Sequence, residues 1–251
     1  MAYTEHMIEV TSVFSYSHPG KVREQNQDSI YCDASDQFWL LSDGMGGHSG
    51  GEIASQAVIQ SLSESLSDIS LNEALIQSHE RVKALQQQET SLMGMGTTLV
   101  AVVRSGRGFK LASIGDSRVY CYEDRLRQLT RDHSFVQQLM DRGLLTSQQA
   151  RKHEKRNLIT RFIGMKTDGL EIDYSNYYPY RSGTLLLCSD GVTDYVTDTQ
   201  LTVIMDSTED NEQRAEKLVS CVFDTPAADN VSFILISYGV SLGLKLLNRV
   251  T

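Results

Sequence analysis

Proline is scarce: three in 251 residues. With no Pro-rich linker, repeat or low-complexity block, nothing marks a domain boundary, and a single domain over residues 1–251 is the expectation. No run of about 18 apolar residues exists, so no membrane-spanning helix is expected. The N-terminal MAYTEHMIEV has no basic segment followed by an apolar one, the mark of a secretory signal. Basic charge is also short. Lys and Arg number 23 against 32 Asp and Glu, a net charge of -9, which argues against non-specific nucleic-acid binding. The four cysteines, Cys32, Cys121, Cys188 and Cys221, are widely spread and make no CxxC pair. Buried reduced thiols are the expectation, and they suit a cytoplasm. A composition that is 40% hydrophobic and 22% charged is that of an ordinary globular protein able to bury a core.

Strand-like and helix-like stretches come in blocks. Residues 8–15, 29–33 and 37–42 read as short strands. Residues 52–69 and 71–88 carry apolar side chains at a helical period, and capping boxes are expected at Ser49 with Glu52 and at Ser70 with Glu73. Strands return at 97–104, 109–114 and 118–122. Segment 134–163 reads as polar and more helical, with a box at Thr146 and Gln149. A strand at 184–189, helices near 198–206 and 211–223, and a strand at 230–237 follow. Paired helices between runs of adjacent strands predict an α+β layered fold with mainly antiparallel strands.

Aspartates flank those strands. Asp43 follows FWLLS, Asp116 follows LASIG, and Asp190 follows LLLCS. Asp229 precedes NVSFILI, and Asp28 precedes the strand from Ser29. Hard divalent cations prefer oxygen ligands, and strand ends are rigid places from which to aim several carboxylates at one point. A glycine after the aspartate lets a backbone carbonyl approach an ion. Taken singly, each Asp-Gly is a common turn. Jointly, two SDG motifs at 42–44 and 189–191, with IGDSR and ADN, exceed what turns alone account for.

The ordered series GKVREQNQDS (20–29), SDGMGGHSGGEIAS (42–55), GMGTTLVA (94–101), IGDSRVY (114–120), LTRDHSFVQQLMDRG (129–143), RNLITRFIG (156–164), LLLCSDGVTDYV (185–196) and ADNVSFILI (228–236) resembles the protein phosphatase 2C family. These are metal-dependent serine/threonine protein phosphatases, and the likeness is to the short bacterial form. The resemblance implies an antiparallel β-sandwich flanked by pairs of α-helices. It also implies two Mn²⁺ or Mg²⁺ ions, and a third, weaker one in bacterial members. By motif, Asp43 would bridge two ions and the Gly44 carbonyl would bind one. Asp190 and Asp229 would complete the second, Asp28 would stand close by, and Asp116 would serve the third. Cations of this kind lower the pKa of bound water, so hydrolysis would need no covalent intermediate, and no cysteine is read as a nucleophile. Arg23 is the expected clamp on the substrate dianion, since guanidinium fits two phosphate oxygens. The better-known pattern has histidine directly after the DG of the second motif. Here Met45 stands there, and His48 is the candidate proton donor.

The resemblance further implies a mobile flap at residues 132–164, where His153 is followed by Glu154 rather than the usual proline. His133 is read as a packing or hydrogen-bonding residue rather than a ligand. The tail 241–251 lies beyond the family core and reads as a final strand or short helix. Expected partners are phosphorylated Ser/Thr proteins, among them a partner kinase, with no nucleic acid and no membrane; a cytoplasmic monomer is expected. A catalytically silent module of the same fold is the competing reading, and a phosphodiesterase or nuclease a third.

Overall fold

The computed structural model describes residues 2–246 except Asp36, His48, Asp168, Thr208 and Glu209, and the side chains of residues 7–241. Among the described residues, eleven strands and seven α-helices run in the order β1 (Ala2–His18), β2 (Asp28–Cys32), β3 (Phe38–Met45), α1 (Gly50–Ser65), α2 (Leu71–Gln88), β4 (Gly96–Thr97), β5 (Leu99–Ser105), β6 (Gly108–Ile114), β7 (Arg118–Tyr122), β8 (Leu126–Gln128), α3 (Phe135–Asp141), α4 (Ser147–Ala150), β9 (Asp173–Tyr177), β10 (Gly183–Cys188), α5 (Asp190–Thr193), α6 (Asp198–Asp206), α7 (Asn211–Phe223) and β11 (Val231–Leu246). One sheet has the strand order β1-β11-β10-β7-β8. The other has β2-β3-β5-β6-β9, with β4 beside β3. Every named pairing is antiparallel.

Period-two alternation builds the layers. Trp39, Leu41, Val100, Val102 and Leu111 on one sheet meet Val119, Leu185, Leu187, Ile234 and Ile236 on the other. The intervening residues face outward into helices. Leu40, Leu99 and Ala101 pack under α1 and α2 with Val58, Leu62 and Leu75. Leu186, Phe233 and Leu235 pack under α6 and α7 with Leu201 and Leu218. Central strands therefore bury both faces, which is why LLLC and FILI read as continuous apolar runs. At about 1.5–3 kcal/mol per fully buried large side chain, these three cores hold the α-β-β-α layers together. The expected α+β sandwich is the fold observed.

Helices α2, α6 and α7 match their expected spans, and Ser70 with Glu73 forms the expected capping box, as does Thr146 with Gln149. The box expected at Ser49 is absent. Ser49 has helical backbone angles, φ -84 and ψ -1, and its side chain makes no cap bond, because a cap needs extended backbone at that position. Glu52 instead accepts a hydrogen bond from Gln56. The helical reading of 134–163 holds only for α3 and α4. Beyond Ala150 the chain runs in turns, pinned by short bridges from Ser134 to Ile159 and from Thr97 to Ile163. Its RKHEKR run offers no apolar face to bury. The tail continues β11 as a strand paired with β1 as far as Leu246; residues 247–251 lie outside the described residues. No helix among the described residues is long and apolar enough to cross a membrane.

Candidate metal centre

Register brings the aspartates together. Asp28 and Asp43 are direct partners across β2 and β3. Cys188, two residues before Asp190, pairs with Phe233 of β11 and with Arg118 of β7. Asp229 and Asp116 therefore leave their strands at the same edge as Asp190. Leu99 opposite Ile114 places the turn carrying Asp116 at that edge of the second sheet too. All five aspartates stand at one end of the sandwich.

The two sheets are tied there by polar contacts. Ser189 Oγ donates to Asp28 Oδ2 at 3.0 Å. Asn230 accepts from the Gln27 amide at 2.8 Å and donates to the carbonyls of Pro19 and Gln25 at 3.0 and 2.9 Å. This one side chain fixes the loop that carries Arg23 and leads into Asp28. Arg23 in turn places its Nε and Nη2 each 3.1 Å from a carboxylate oxygen of Asp229.

The glycines of both SDG motifs are required by packing. A Cβ on Gly44 would lie 2.0 Å from the Gly51 carbonyl oxygen at the start of α1, and one on Gly191 would lie 1.9 Å from the Asn230 carbonyl oxygen. Real Cβ atoms do not approach backbone so closely. Close approach of a second chain segment, at both motifs, is the observed reason for the residue type.

Electrostatics mark the cluster as unfinished. Burial pushes the Asp28 carboxyl up to about 6, against hydrogen bonds from Ser232 and Ser189 that pull it down. Burial pushes Asp116 up to about 7, aided by the charge of Asp132. Asp43 is held well above the usual range by burial and then by Asp28, Asp190 and Asp116. Asp190 is held up by burial and then by Asp116 and Asp194. Oδ1 of Asp28 and Oδ1 of Asp116 are buried without a hydrogen-bond partner among the described residues. Buried carboxylates that repel one another need positive charge, and an all-oxygen donor set suits a hard divalent cation. As they stand, no three carboxylate, histidine or cysteine side chains among the described residues are drawn close enough to cage an ion. The residues fit such ions in chemistry, and they stand at one end of the sandwich.

A cleft of about 660 Å³ opens beside the cluster, lined by Asp116, Asp190, Asp194, Arg118, Arg151 and Arg156 among others. His133 is buried against the turn that carries Asp116. Its Nδ1 accepts from the Gly115 amide at 3.1 Å, and its own amide donates to the Gly115 carbonyl at 2.7 Å. Nε2 lies 3.2 Å from Asp173. The histidine shapes the turn that holds Asp116, in keeping with the hydrogen-bonding role expected of it. His48 lies outside the described residues.

Sequence reasoning missed Ser189, Asn230 and Asp194. The first two were signalled by a hydroxyl and an amide directly beside an expected ligand. One cysteine, Cys121, stands six residues before an arginine, Arg127, the spacing of a cysteine phosphatase loop. The structure removes that option: Cys121 is fully buried between the sheets, burial pushes its thiol up, and Arg127 pairs with Glu123.

Comparison with known proteins agrees with this arrangement. The sequence model of the family described as protein phosphatase 2C matches residues 20–224. The serine/threonine protein phosphatase PstP of Mycobacterium tuberculosis is 36% identical over 242 residues, covering 91% of this chain but 46% of that protein. The chain thus spans about half the length of that relative. The serine/threonine phosphatase stp of Listeria monocytogenes is 30% identical over 86% of this chain and 92% of its own length. A crystal structure of the PstP catalytic domain in complex with two manganese ions superposes with a TM-score of 0.79 at 31% identity, covering 94% of this chain and 99% of that one. With the family match spanning most of its length and the same sandwich in its relatives, this chain belongs to the protein phosphatase 2C family.

Proposed function

We propose that the chain is a metal-dependent serine/threonine protein phosphatase acting as one catalytic domain. The observation that carries this reading is the convergence of Asp28, Asp43, Asp116, Asp190 and Asp229 at one end of the sandwich, with the carboxyls of Asp28, Asp43, Asp116 and Asp190 raised chiefly by burial and then by neighbouring carboxylates. Asp43, the Gly44 carbonyl, Asp190 and Asp229 would hold two Mn²⁺ or Mg²⁺ ions, Asp28 would support them, and Asp116 would serve a third. When bound, such cations lower the pKa of water so that hydroxide is available at neutral pH.

The chain's own residues supply the rest. Arg23 offers a two-pronged guanidinium to the phosphate dianion. Ser189 and Asn230 keep Asp28 and the Arg23 loop in register. His48 would protonate the leaving serine or threonine oxygen; its replacement by Gln should slow poor leaving groups more than an activated aryl phosphate. The 132–164 segment, lying along the cleft, acts as the flap. The natural substrates are phosphorylated proteins, including a partner Ser/Thr kinase, met by a monomer in the cytoplasm.

The test is hydrolysis of an aryl phosphomonoester and of a phosphothreonine peptide, with Mn²⁺ and with chelator. Turnover that needs Mn²⁺ and falls by at least about 100-fold in Asp190→Ala supports the reading. Absence of metal-dependent turnover would point to a silent module, and activity on diesters alone to a nuclease.

A further inference from the structure

The cleft beside the aspartates has two electrical characters. Its floor is carboxylate. On its outer wall the 150–157 segment contributes Arg151 and Arg156, both exposed. Most other charges around the cleft are already matched. Arg118 grips Asp132 through a 2.6 Å contact, Arg131 pairs with Asp141, and Arg156 lies 3.9 Å from Asp194. Arg151 differs. Its Nη2 donates to the backbone carbonyl of Asp194 at 3.2 Å, and among the described residues it makes no ion pair, yet it lines the cleft.

That hydrogen bond also fixes where the charge sits. The Asp194 amide donates to the Asp190 carbonyl at 2.7 Å, so Asp194 stands one helical turn, about 5 Å, from the proposed ligand Asp190. An extended peptide advances about 3.3–3.6 Å per residue. With a phosphoresidue over the aspartates, a side chain two or three positions away reaches the Arg151 guanidinium.

We propose that Arg151 is a specificity-determining residue that selects phosphopeptides carrying a glutamate or aspartate within three residues of the phosphorylated position. The inference rests on the phosphatase reading above. An acidic side chain there finds a guanidinium that makes no ion pair among the described residues and meets only the nearby Asp194 charge, in a partly enclosed cleft where Coulomb attraction is stronger than in bulk water. A lysine at that position meets the Arg151 charge and is rejected.

The experiment compares phosphothreonine peptides that differ only in Glu, Gln or Lys at each position within three residues of the phosphothreonine, assayed with Mn²⁺. At the best position, the Glu peptide should exceed its Gln counterpart about five- to tenfold in kcat/KM, chiefly through KM. Because the contact is electrostatic, the ratio should shrink toward one in 0.5 M salt. In Arg151→Gln the ratio, taken within the one enzyme, should fall to about one, and Arg151→Lys should restore most of it. Equal kcat/KM for Glu and Gln peptides at every position overturns this inference while leaving the phosphatase reading intact. A preference that survives Arg151→Gln overturns it as well. No metal-dependent turnover of any peptide or of an aryl phosphate overturns the reading on which it rests.

Discussion

The guanidinium of Arg23 spans both carboxylate oxygens of Asp229, 3.1 Å from each. One of these residues is the proposed phosphate clamp and the other a proposed cation ligand, so the pair joins the two proposed roles through the same carboxylate. A cation at Asp229 would compete with Arg23 for the same carboxylate oxygens. Arg23→Ala should raise KM for a small phosphomonoester by about tenfold or more, from roughly 1.5–3 kcal/mol for a charge-assisted hydrogen bond. It should also tighten Mn²⁺ binding, because Asp229 no longer has a competing partner. Both residues are more than a third exposed, so the pair adds about 0–1 kcal/mol to folding, and the melting temperature should hardly move. Steady-state kinetics and calorimetric titration with Mn²⁺ measure the two effects. An unchanged KM at fixed metal removes Arg23 from the clamp.

The raised carboxyls predict an unusual pH dependence of stability in chelator. Asp28 stands at about 6 and Asp116 at about 7 in the folded chain, above the ordinary aspartate value of about 3.9. A group whose folded pKa is raised favours the native state while protonated. That contribution is complete below about pH 4 and is lost as pH climbs through 6 to 7. For Asp28 alone the change is on the order of 3 kcal/mol. Urea unfolding in chelator should therefore show falling stability from about pH 4.5 to 7.5, with Asp28→Asn flattening part of the slope. With saturating Mn²⁺ the added stability should grow with pH, because ligands must lose protons to bind. Stability in chelator that rises across this range contradicts the shared-charge account of the cluster.

The aspartates could be read because each follows or precedes a strand whose apolar run is unmistakable, and register then decides which strand ends meet. Asp28 opposite Asp43 is a consequence of one hairpin. The meeting of Asp190 with Asp116 needs β10 beside β7, a pairing of strands 60 residues apart along the chain that no local pattern encodes. Ser49 shows the converse failure: its sequence suits a cap, but the chain enters α1 through a turn in which the Gly50 amide reaches the Gly47 carbonyl. The short strands β8 and β9 leave no alternation to read: LRQ is only three residues with none buried, and DYSNY exposes four of its five side chains. Segment 134–163 was over-read as helix because its composition suits one, while Gly143 at φ +70 and the charged run after it stop propagation.

Asn230 makes three hydrogen bonds to the 19–27 loop while being almost wholly buried. Its replacement by Ala would leave the Gln27 amide and the Pro19 and Gln25 carbonyls without that partner. Each buried unsatisfied group costs about 1–3 kcal/mol. Asn230→Ala should lose at least about 2 kcal/mol in urea unfolding and raise KM, since the loop carries Arg23. Asn230→Asp is the more telling variant. It keeps the acceptor for Gln27 but loses the two donated bonds and adds a charge beside Asp229, so it should be no more stable than the alanine variant. Full retention of stability in either variant would mean that the loop is held elsewhere.

Gly191 gives the sharpest steric prediction. Its missing Cβ would stand 1.9 Å from the Asn230 carbonyl oxygen, and that oxygen belongs to backbone that cannot swing aside. The same backbone leads into β11, an interior strand of its sheet between β1 and β10. Gly191→Ala must therefore push α5 and Asp190 away from the entry of β11, opening the cluster at the point where two proposed ligands, Asp190 and Asp229, approach each other. Overpacking of this kind costs about 1–3 kcal/mol or more. The expected result is a folded but weakened chain, with a melting temperature lower by several degrees and Mn²⁺ affinity reduced about tenfold or more. Gly143→Ala is the matched control: a Cβ there meets nothing within 4 Å, so its cost comes only from the positive φ and should leave Mn²⁺ affinity unchanged. If both variants lose stability alike and both keep the metal, packing of Gly191 against Asn230 is not what sets the distance between the two ligands.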